Sequence, residues 1–142
     1  MAAYTITAAE VTAGTGATIK YGIAGVAITA GQALYLDETT NTLKLAQADG
    51  TAAESACVGV SLNSAAIGQP VGYVWQGDIN LDTAALTGAA KGEVTSLGAT
   101  AGALYPNEDV ATTERVCIVG VMKTSNPGVL TVSIFDTGIT HV

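Results

Sequence analysis

The sequence is poor in the side chains that usually carry out chemistry. Its only histidine, His141, is the penultimate residue, and its only cysteines are Cys57 and Cys117. A serine or cysteine nucleophile needs a base held rigidly beside it, and a zinc ion usually takes four nitrogen or sulfur ligands. This set of residues supplies neither arrangement. We therefore expect no catalytic residue, no metal and no cofactor, and we expect both cysteines to be small buried thiols.

Charged residues are also scarce, at 12% of the chain, which is about half the usual share. Twelve acids against five bases give a net charge of −7. The bases are scattered along the chain: Lys20, Lys44, Lys91, Arg115 and Lys123. Without a basic patch to meet phosphates, nucleic acid is not an expected partner. A surface poor in charge suits contact with copies or with a partner, although the surface of a monomer can have the same composition.

Two segments, residues 21–36 and 55–77, contain no charged residue. The first is shorter than the roughly 20 apolar residues that a membrane-spanning helix needs. The second contains Asn63, Gln69 and Pro70. We predict no membrane segment and no membrane partner. The N-terminal stretch MAAYTITAAEVTAG has no basic residue ahead of an apolar run, so we predict no signal peptide and expect reduced thiols.

Apolar and polar residues alternate in several segments, which is the pattern of β-strands with one buried face. The longest alternation covers residues 71–82, where the odd positions are Val71, Tyr73, Trp75, Gly77, Ile79 and Leu81 and the even positions are polar or glycine except for Val74. Gly77 lies within this run and predicts a bend or bulge. Further strands are predicted over residues 18–23, 57–62, 116–122 and 129–136. Residues 33–36 and 42–45 predict a hairpin around the turn 37–41.

Signals for helix are weak. Residues 82–90 predict one short helix, with Asp82 as its N-cap and Leu86 as its only large apolar residue. Residues 51–56 predict at most a second helical turn. The predicted class is therefore mainly β, built of short antiparallel strands with at most one or two short helices.

One phrase occurs twice. Residues 29–35 spell TAGQALY and residues 100–105 spell TAGALY, and each is followed further on by Val-Gly-Val, at 58–60 and at 119–121. Two related strand pairs produced by internal duplication would explain the repeat. Chance is the favoured explanation, because short matches arise easily in a chain rich in Ala, Gly, Thr and Val.

The first sixteen residues differ from the rest of the chain. Tyr4, Ile6 and Val11 stand among alanines and threonines, and Gly14-Thr15-Gly16 follows as a flexible joint. Two interpretations stay open: an ordinary first strand of the domain, or an arm that becomes ordered on a partner. Trp75, the only tryptophan, is likewise either a core residue or a contact residue.

Several phrases in the first half occur in a familiar order. They are AGVAITAGQALYL at 24–36, KLAQADG at 44–50, VGVSLNSAA at 58–66 and GQPV at 68–71. Together they resemble the head-decoration, or capsid cement, proteins of tailed bacteriophages, the family of the lambda head decoration protein. The resemblance covers residues 24–81 well and the remainder loosely.

This resemblance implies a compact barrel-like domain of the β-clip or β-tulip kind, residues 17–142, preceded by a flexible capsid-binding arm, residues 1–16. It implies a homotrimer that binds the major capsid protein on the outer surface of the expanded head, at three-fold and quasi-three-fold positions. The protein would be made in the host cytoplasm and reside in the virion. The family supplies no catalytic residue. The candidate contact residues are Tyr4, Thr5, Ile6 and Val11 in the arm and Trp75 in the domain.

Two other classes fit the same residues. One is another phage structural β-domain, such as a tail-tube, spike or fibre component. The other is a carbohydrate-binding or enzymatic β-domain. A tube component would polymerise, whereas a cyclic trimer closes on itself.

Overall fold

The computed structural model describes residues 3–106 and 114–140. They form a mainly β domain with a curled antiparallel half-barrel sheet, so the predicted fold class is confirmed. This part of the chain contains a 3-10 turn at Ala8–Glu10 and ten strands: β1 (Thr12–Ala13), β2 (Thr18–Ile23), β3 (Ala33–Asp37), β4 (Thr42–Leu45), β5 (Cys57–Ser61), β6 (Pro70–Asp82), β7 (Val94–Leu97), β8 (Leu104–Pro106), β9 (Arg115–Ser125) and β10 (Gly128–Thr140). None of its helical segments is long and apolar enough to cross a membrane.

The long strand β6 is the centre of the sheet. The strand order is β4-β3-β5-β6-β10-β9-β7-β8, and β1 and β2 pair with β6 in addition. Val74 pairs with Val60 of β5 and Ile19 of β2, while Gln76 pairs with Ser133 of β10 and Thr18 of β2. Strands β5 and β10 therefore share one side of β6 and diverge from it, and β2 and β1 occupy the other side.

The bend predicted at Gly77 is confirmed. Its φ is 94°, in the region that favours glycine, and a Cβ atom there would come within 2.2 Å of the carbonyl oxygen of Gly16. The bend divides β6 into a first half that pairs with β2 and β5 and a second half that pairs with β1 and β10.

The buried side chains form two clusters, and β3, β5 and β6 contribute to both. Ala33 and Val60 face the larger cluster, whereas the neighbouring Leu34 faces the smaller one. The smaller cluster consists of Ala24, Ile28, Leu34, Leu43, Ala65 and Val71. It is surrounded by β2, β6, β5, β3 and β4, because the N–H of Gly25 donates to the carbonyl of Leu43 (2.8 Å) and brings the end of β2 against β4. Interior strands with two buried faces explain the short apolar run at residues 57–62.

The repeated phrase encodes the same local structure twice. Gly31 and Gly102 both have positive φ, 89° and 81°, and each turn leads into a strand, β3 and β8. The two turns touch, since the N–H of Ala33 donates to the carbonyl of Gly102 (2.9 Å). The pairing differs, however: β3 pairs directly with β5, whereas β7 lies between β8 and β9. The two related strand pairs that a duplication predicts are therefore absent from this sheet.

The helix predicted over residues 82–90 is wrong. Asp82 closes a tight turn by accepting a bond from the N–H of Ala84 (2.9 Å), and Thr87 forms a β-bridge with Thr5. Leu86 is buried and its N–H donates to the carbonyl of Ser125, so a single apolar side chain is satisfied by the sheet without helix. Residues 51–56 make one hydrogen-bonded turn and no longer helix.

Candidate interaction surfaces

The N-terminal segment packs against the domain. Tyr4 is 6% exposed and its N–H donates to the carbonyl of Leu104 (2.9 Å). Its hydroxyl donates to Oε1 of Glu93 (2.6 Å) and lies 3.0 Å from Oγ1 of Thr95, which is itself fully buried. Tyr4 was expected to contact a partner, but in this conformation it is a core residue because its ring and its hydroxyl are both satisfied within the chain.

The other residues of the predicted arm divide between core and surface. Val11 is 7% exposed and belongs to the larger cluster, and Ile6 is half-buried against it. Ile6 lies so close to Gly31 that a Cβ atom there would come within 2.7 Å of Cγ2 of Ile6. Among the predicted contact residues of this segment, only Thr5 is exposed. The described residues 3–16 thus form the first segment of the domain. Tyr4 and Val11 could contact a partner only if this segment detached from the domain, so their contact role stays a prediction for that detached state.

Trp75 lies in a groove where β5 and β10 diverge from β6. The groove has a volume of about 440 Å³ and its walls include Lys20, Leu36, Val58, Tyr73, Trp75 and Ile134. The ammonium of Lys20 lies 4.6 Å from the centre of the indole ring, at cation–π distance. The Nε1 atom of Trp75 is buried and has no hydrogen-bond partner among the described residues. Trp75 is therefore half-buried, with an enclosed and unpaired indole nitrogen, and its ring lies in a groove of mixed polar and apolar lining that also includes Gln76 and Ser133.

The edge of β10 borders this groove. Its ladder with β6 ends at Ser133, although β10 continues to Thr140 along β9. Two large apolar side chains of this extension, Phe135 and Ile139, are each 63% exposed. A sheet edge with exposed apolar side chains is the geometry to which an extended segment can add as a further strand.

A second apolar surface lies on β2 and the turn before β6. Tyr21 is 76% exposed, Ile23 is 45% exposed and Ile67 is 72% exposed. The register pairs Ile23 with Pro70, and the N–H of Gly68 donates to the carbonyl of Ala24, so the turn and the end of β2 are adjacent. Sequence reasoning did not select these three residues. The feature of the sequence that could have indicated them is the absence of charged residues over residues 21–36 and 55–77.

Two lysines pair with carboxylates, Lys44 with Asp37 and Lys123 with Asp78, each at 2.7 Å. Hydrogen bonds from Lys123 and Thr131 hold the pKa of the buried Asp78 below its usual range.

Both thiols are free and buried, as predicted. Burial raises the pKa of Cys57 far above the usual thiol range, and raises that of Cys117 to about 11. Thiols in this state are poor nucleophiles. His141 lies outside the described residues, and within them no group of three or more His, Cys, Asp or Glu could hold a metal ion.

No protein-family model matches the sequence, and no curated protein matches it significantly. Function is therefore inferred from the surfaces described above together with the resemblance of residues 24–81.

Proposed function

We propose that this protein is a structural subunit of a tailed-bacteriophage virion, a decoration protein that binds the outer surface of the expanded head at three-fold positions and stabilises it. Its partners are the major capsid protein and further copies of itself, as a homotrimer. It needs no cofactor and carries out no reaction.

The observation that supports this proposal most directly is the kind of surface that the chain exposes. Large apolar side chains stand in solvent on two sheet edges, while the cysteines are buried and Lys44 and Lys123 are engaged in structural ion pairs. Exposed apolar patches mark contact surfaces. The residues that carry the phage resemblance, 24–81, are those that build β3 to β6 and most of the smaller core.

We assign the contact with the capsid to the groove of Trp75 and the adjoining edge of β10. An extended capsid segment added along β10 beyond Ser133 would bond to its backbone, with the exposed part of the Trp75 ring beside it in the groove.

The test is attachment to purified heads of the phage that encodes this chain, measured by co-sedimentation with expanded and unexpanded heads. Binding should be restricted to expanded heads, and Trp75→Ala should weaken it at least about 10-fold, because residues at the centre of a contact dominate its affinity. Lys91→Ala, which changes an exposed residue away from the groove, is the matched control. The proposal would be refuted if the protein bound neither expanded nor unexpanded heads. It would also be refuted if cryo-electron microscopy of the virion showed density for the protein in the tail.

A tail-tube, spike or fibre component is the second candidate. It is favoured by two strand segments with one side unpaired in the described sheet, β2 and the part of β10 beyond Ser133, which lie on one chain and allow repeated edge-to-edge addition. Polymerisation of the purified protein into tubes would select this candidate. A sugar-binding role is less favoured, because Lys20 covers a face of the Trp75 ring that would otherwise stack on a sugar.

A further inference from the structure

We propose that Cys57 and Cys117 form a disulfide bond when the folded protein meets an oxidant, and that this bond ties β5 to β9. The chain has no other cysteine, so each thiol has one partner for such a bond within the molecule. The proposal concerns the protein alone and does not depend on the capsid role.

The fold brings the beginnings of β5 and β9 together, although the two strands are not neighbours in the sheet. β5 pairs with β3 and β6, and β9 pairs with β10 and β7, yet β5 and β9 approach each other. Arg115 fixes this approach, since its Nε–H donates to Oγ of Ser55 (2.9 Å) and its backbone N–H donates to the carbonyl of Ala48 (2.9 Å). Cys57 follows Ser55 by two residues and Cys117 follows Arg115 by two, so these bonds hold both cysteines in the same small region.

The two thiols share one buried environment, since both cysteines belong to the larger cluster. Burial raises the pKa of Cys117, and the N–H of Cys57 lies close enough to the sulfur of Cys117 to offset part of that rise. Burial likewise raises the pKa of Cys57, and a negative charge on Cys117 raises it further. Each cysteine therefore influences the ionisation of the other, which requires a short distance between them.

Cys57 is the sulfur that an oxidant can reach first. It forms part of the wall of the Trp75 groove and is 6% exposed, whereas Cys117 is fully buried. The groove has a volume of about 440 Å³, which admits a small organic disulfide. The raised pKa of both thiols leaves little thiolate, so the reaction should be slow in the folded protein.

The reaction is a thiol–disulfide exchange with an external disulfide. The thiolate of Cys57 attacks one sulfur of that disulfide and breaks its S–S bond, which forms a mixed disulfide and releases one small thiolate that takes up the proton lost by Cys57. The thiolate of Cys117 then attacks the sulfur of Cys57, which forms the protein disulfide and releases the second small thiolate to take up the proton lost by Cys117. The two protein thiols together lose two electrons, and the external disulfide gains them and becomes two thiols.

The bond would close a loop of about 60 residues, and a cross-link that closes a long loop removes much conformational freedom from the unfolded chain. The loop begins in β5, contains β6, β7 and β8, and ends in β9. The central strand of the sheet therefore lies within it. A protein made in a reducing compartment and later exposed to an oxidising one would gain stability in this way without any new partner.

The test is the equilibrium of the purified protein with 2-hydroxyethyl disulfide at about pH 8, in buffer and in urea. The intact mass should fall by that of two hydrogen atoms, and a proteolytic digest should contain Cys57 joined to Cys117. The equilibrium constant for this bond should be at least about 30-fold larger in the folded protein than in urea, because the bond stabilises the fold by the same factor. Equilibrium is approached both from reduced protein and from protein oxidised in urea and refolded, so that slow access to the thiols does not decide the result.

Cys57→Ser and Cys117→Ser are the matched controls. Each keeps one thiol, so it should form only a mixed disulfide with 2-mercaptoethanol, and the oxidant should raise the urea midpoint of the wild type alone. The proposal would be overturned if the wild type held only mixed or intermolecular disulfides at equilibrium. It would also be overturned if the bond were no more favourable in the folded protein than in urea, because a disulfide needs Cα atoms about 4.4–6.8 Å apart and the fold would then hold the cysteines outside that geometry. None of these measurements involves heads, so failure here leaves the capsid proposal to its own test.

Discussion

Tyr4 offers the sharpest test of whether the N-terminal segment belongs to the folded domain. Tyr4→Ala removes a buried aromatic side chain and should lower the free energy of unfolding by about 3–5 kcal/mol. Tyr4→Phe keeps the ring but removes the hydroxyl that bonds to Glu93 and leaves the buried hydroxyl of Thr95 with one partner fewer. Because one of these bonds is to a carboxylate, the expected loss is about 1–3 kcal/mol. Domains are usually stable by only about 5–15 kcal/mol, so both changes should be easy to measure.

The assay is equilibrium unfolding in urea, followed by the fluorescence of Trp75, the only tryptophan. Thr5→Ala is the matched control, since it changes the adjacent exposed residue and should alter stability by less than about 0.5 kcal/mol. Deletion of residues 2–13 should destabilise the domain at least as much as Tyr4→Ala. If Tyr4→Ala and the deletion both unfold like the wild type, the segment is a free arm in solution and the buried position of Tyr4 does not describe the isolated protein.

Three further predictions follow from single residues. Gly77→Ala should lower the free energy of unfolding by more than about 2 kcal/mol, because it adds a backbone clash to an unfavourable φ. Gly68 has a similar φ but open space around it, so Gly68→Ala should lower the free energy of unfolding by only about 1 kcal/mol. Equal losses in the two variants would contradict this reasoning. Cys57 and Cys117 should react with a thiol reagent at pH 8 far more slowly in the folded protein than in urea, and equal rates would show that they are not buried. The pKa of Asp78 is lower in the folded than in the unfolded protein, so its carboxylate stabilises the fold above about pH 4 and this stabilisation is lost as the pH falls further. Asp78→Asn should therefore be less stable than the wild type at neutral pH, and its free energy of unfolding should fall less than that of the wild type between about pH 5 and 2.

The strands were predictable because their pattern is local. Alternation located β6 and its bend, and the acidic turn located the β3–β4 hairpin. The helix predicted at residues 82–90 does not form. An N-cap signal in the sequence does not reveal whether the one apolar residue of the segment will pack against the sheet instead of lying on a helix. Leu86 makes such a contact with the sheet, because its N–H donates to the carbonyl of Ser125 at the end of β9.

The position of Tyr4 could not be predicted for a different reason. Its hydroxyl partners, Glu93 and Thr95, lie about ninety residues further along the chain. An aromatic residue in a segment of alanines and threonines signals burial, but it does not say whether the burying surface belongs to the same chain or to another one. The exposed Ile67 was missed in the same way, because only the fold shows that the two uncharged segments meet.

The sharing of β6 by two cores has a mechanical consequence. Val71 is anchored in the smaller core, while Val74 and Ile79 are anchored in the larger one. A pull on β2 or on β10 passes into this one strand, so neither core can open without loosening the other. Load applied at a sheet edge is thus divided between both cores, and β6 passes from one to the other between Val71 and Val74. Resistance to force and cooperative unfolding then have the same origin in a single thirteen-residue strand.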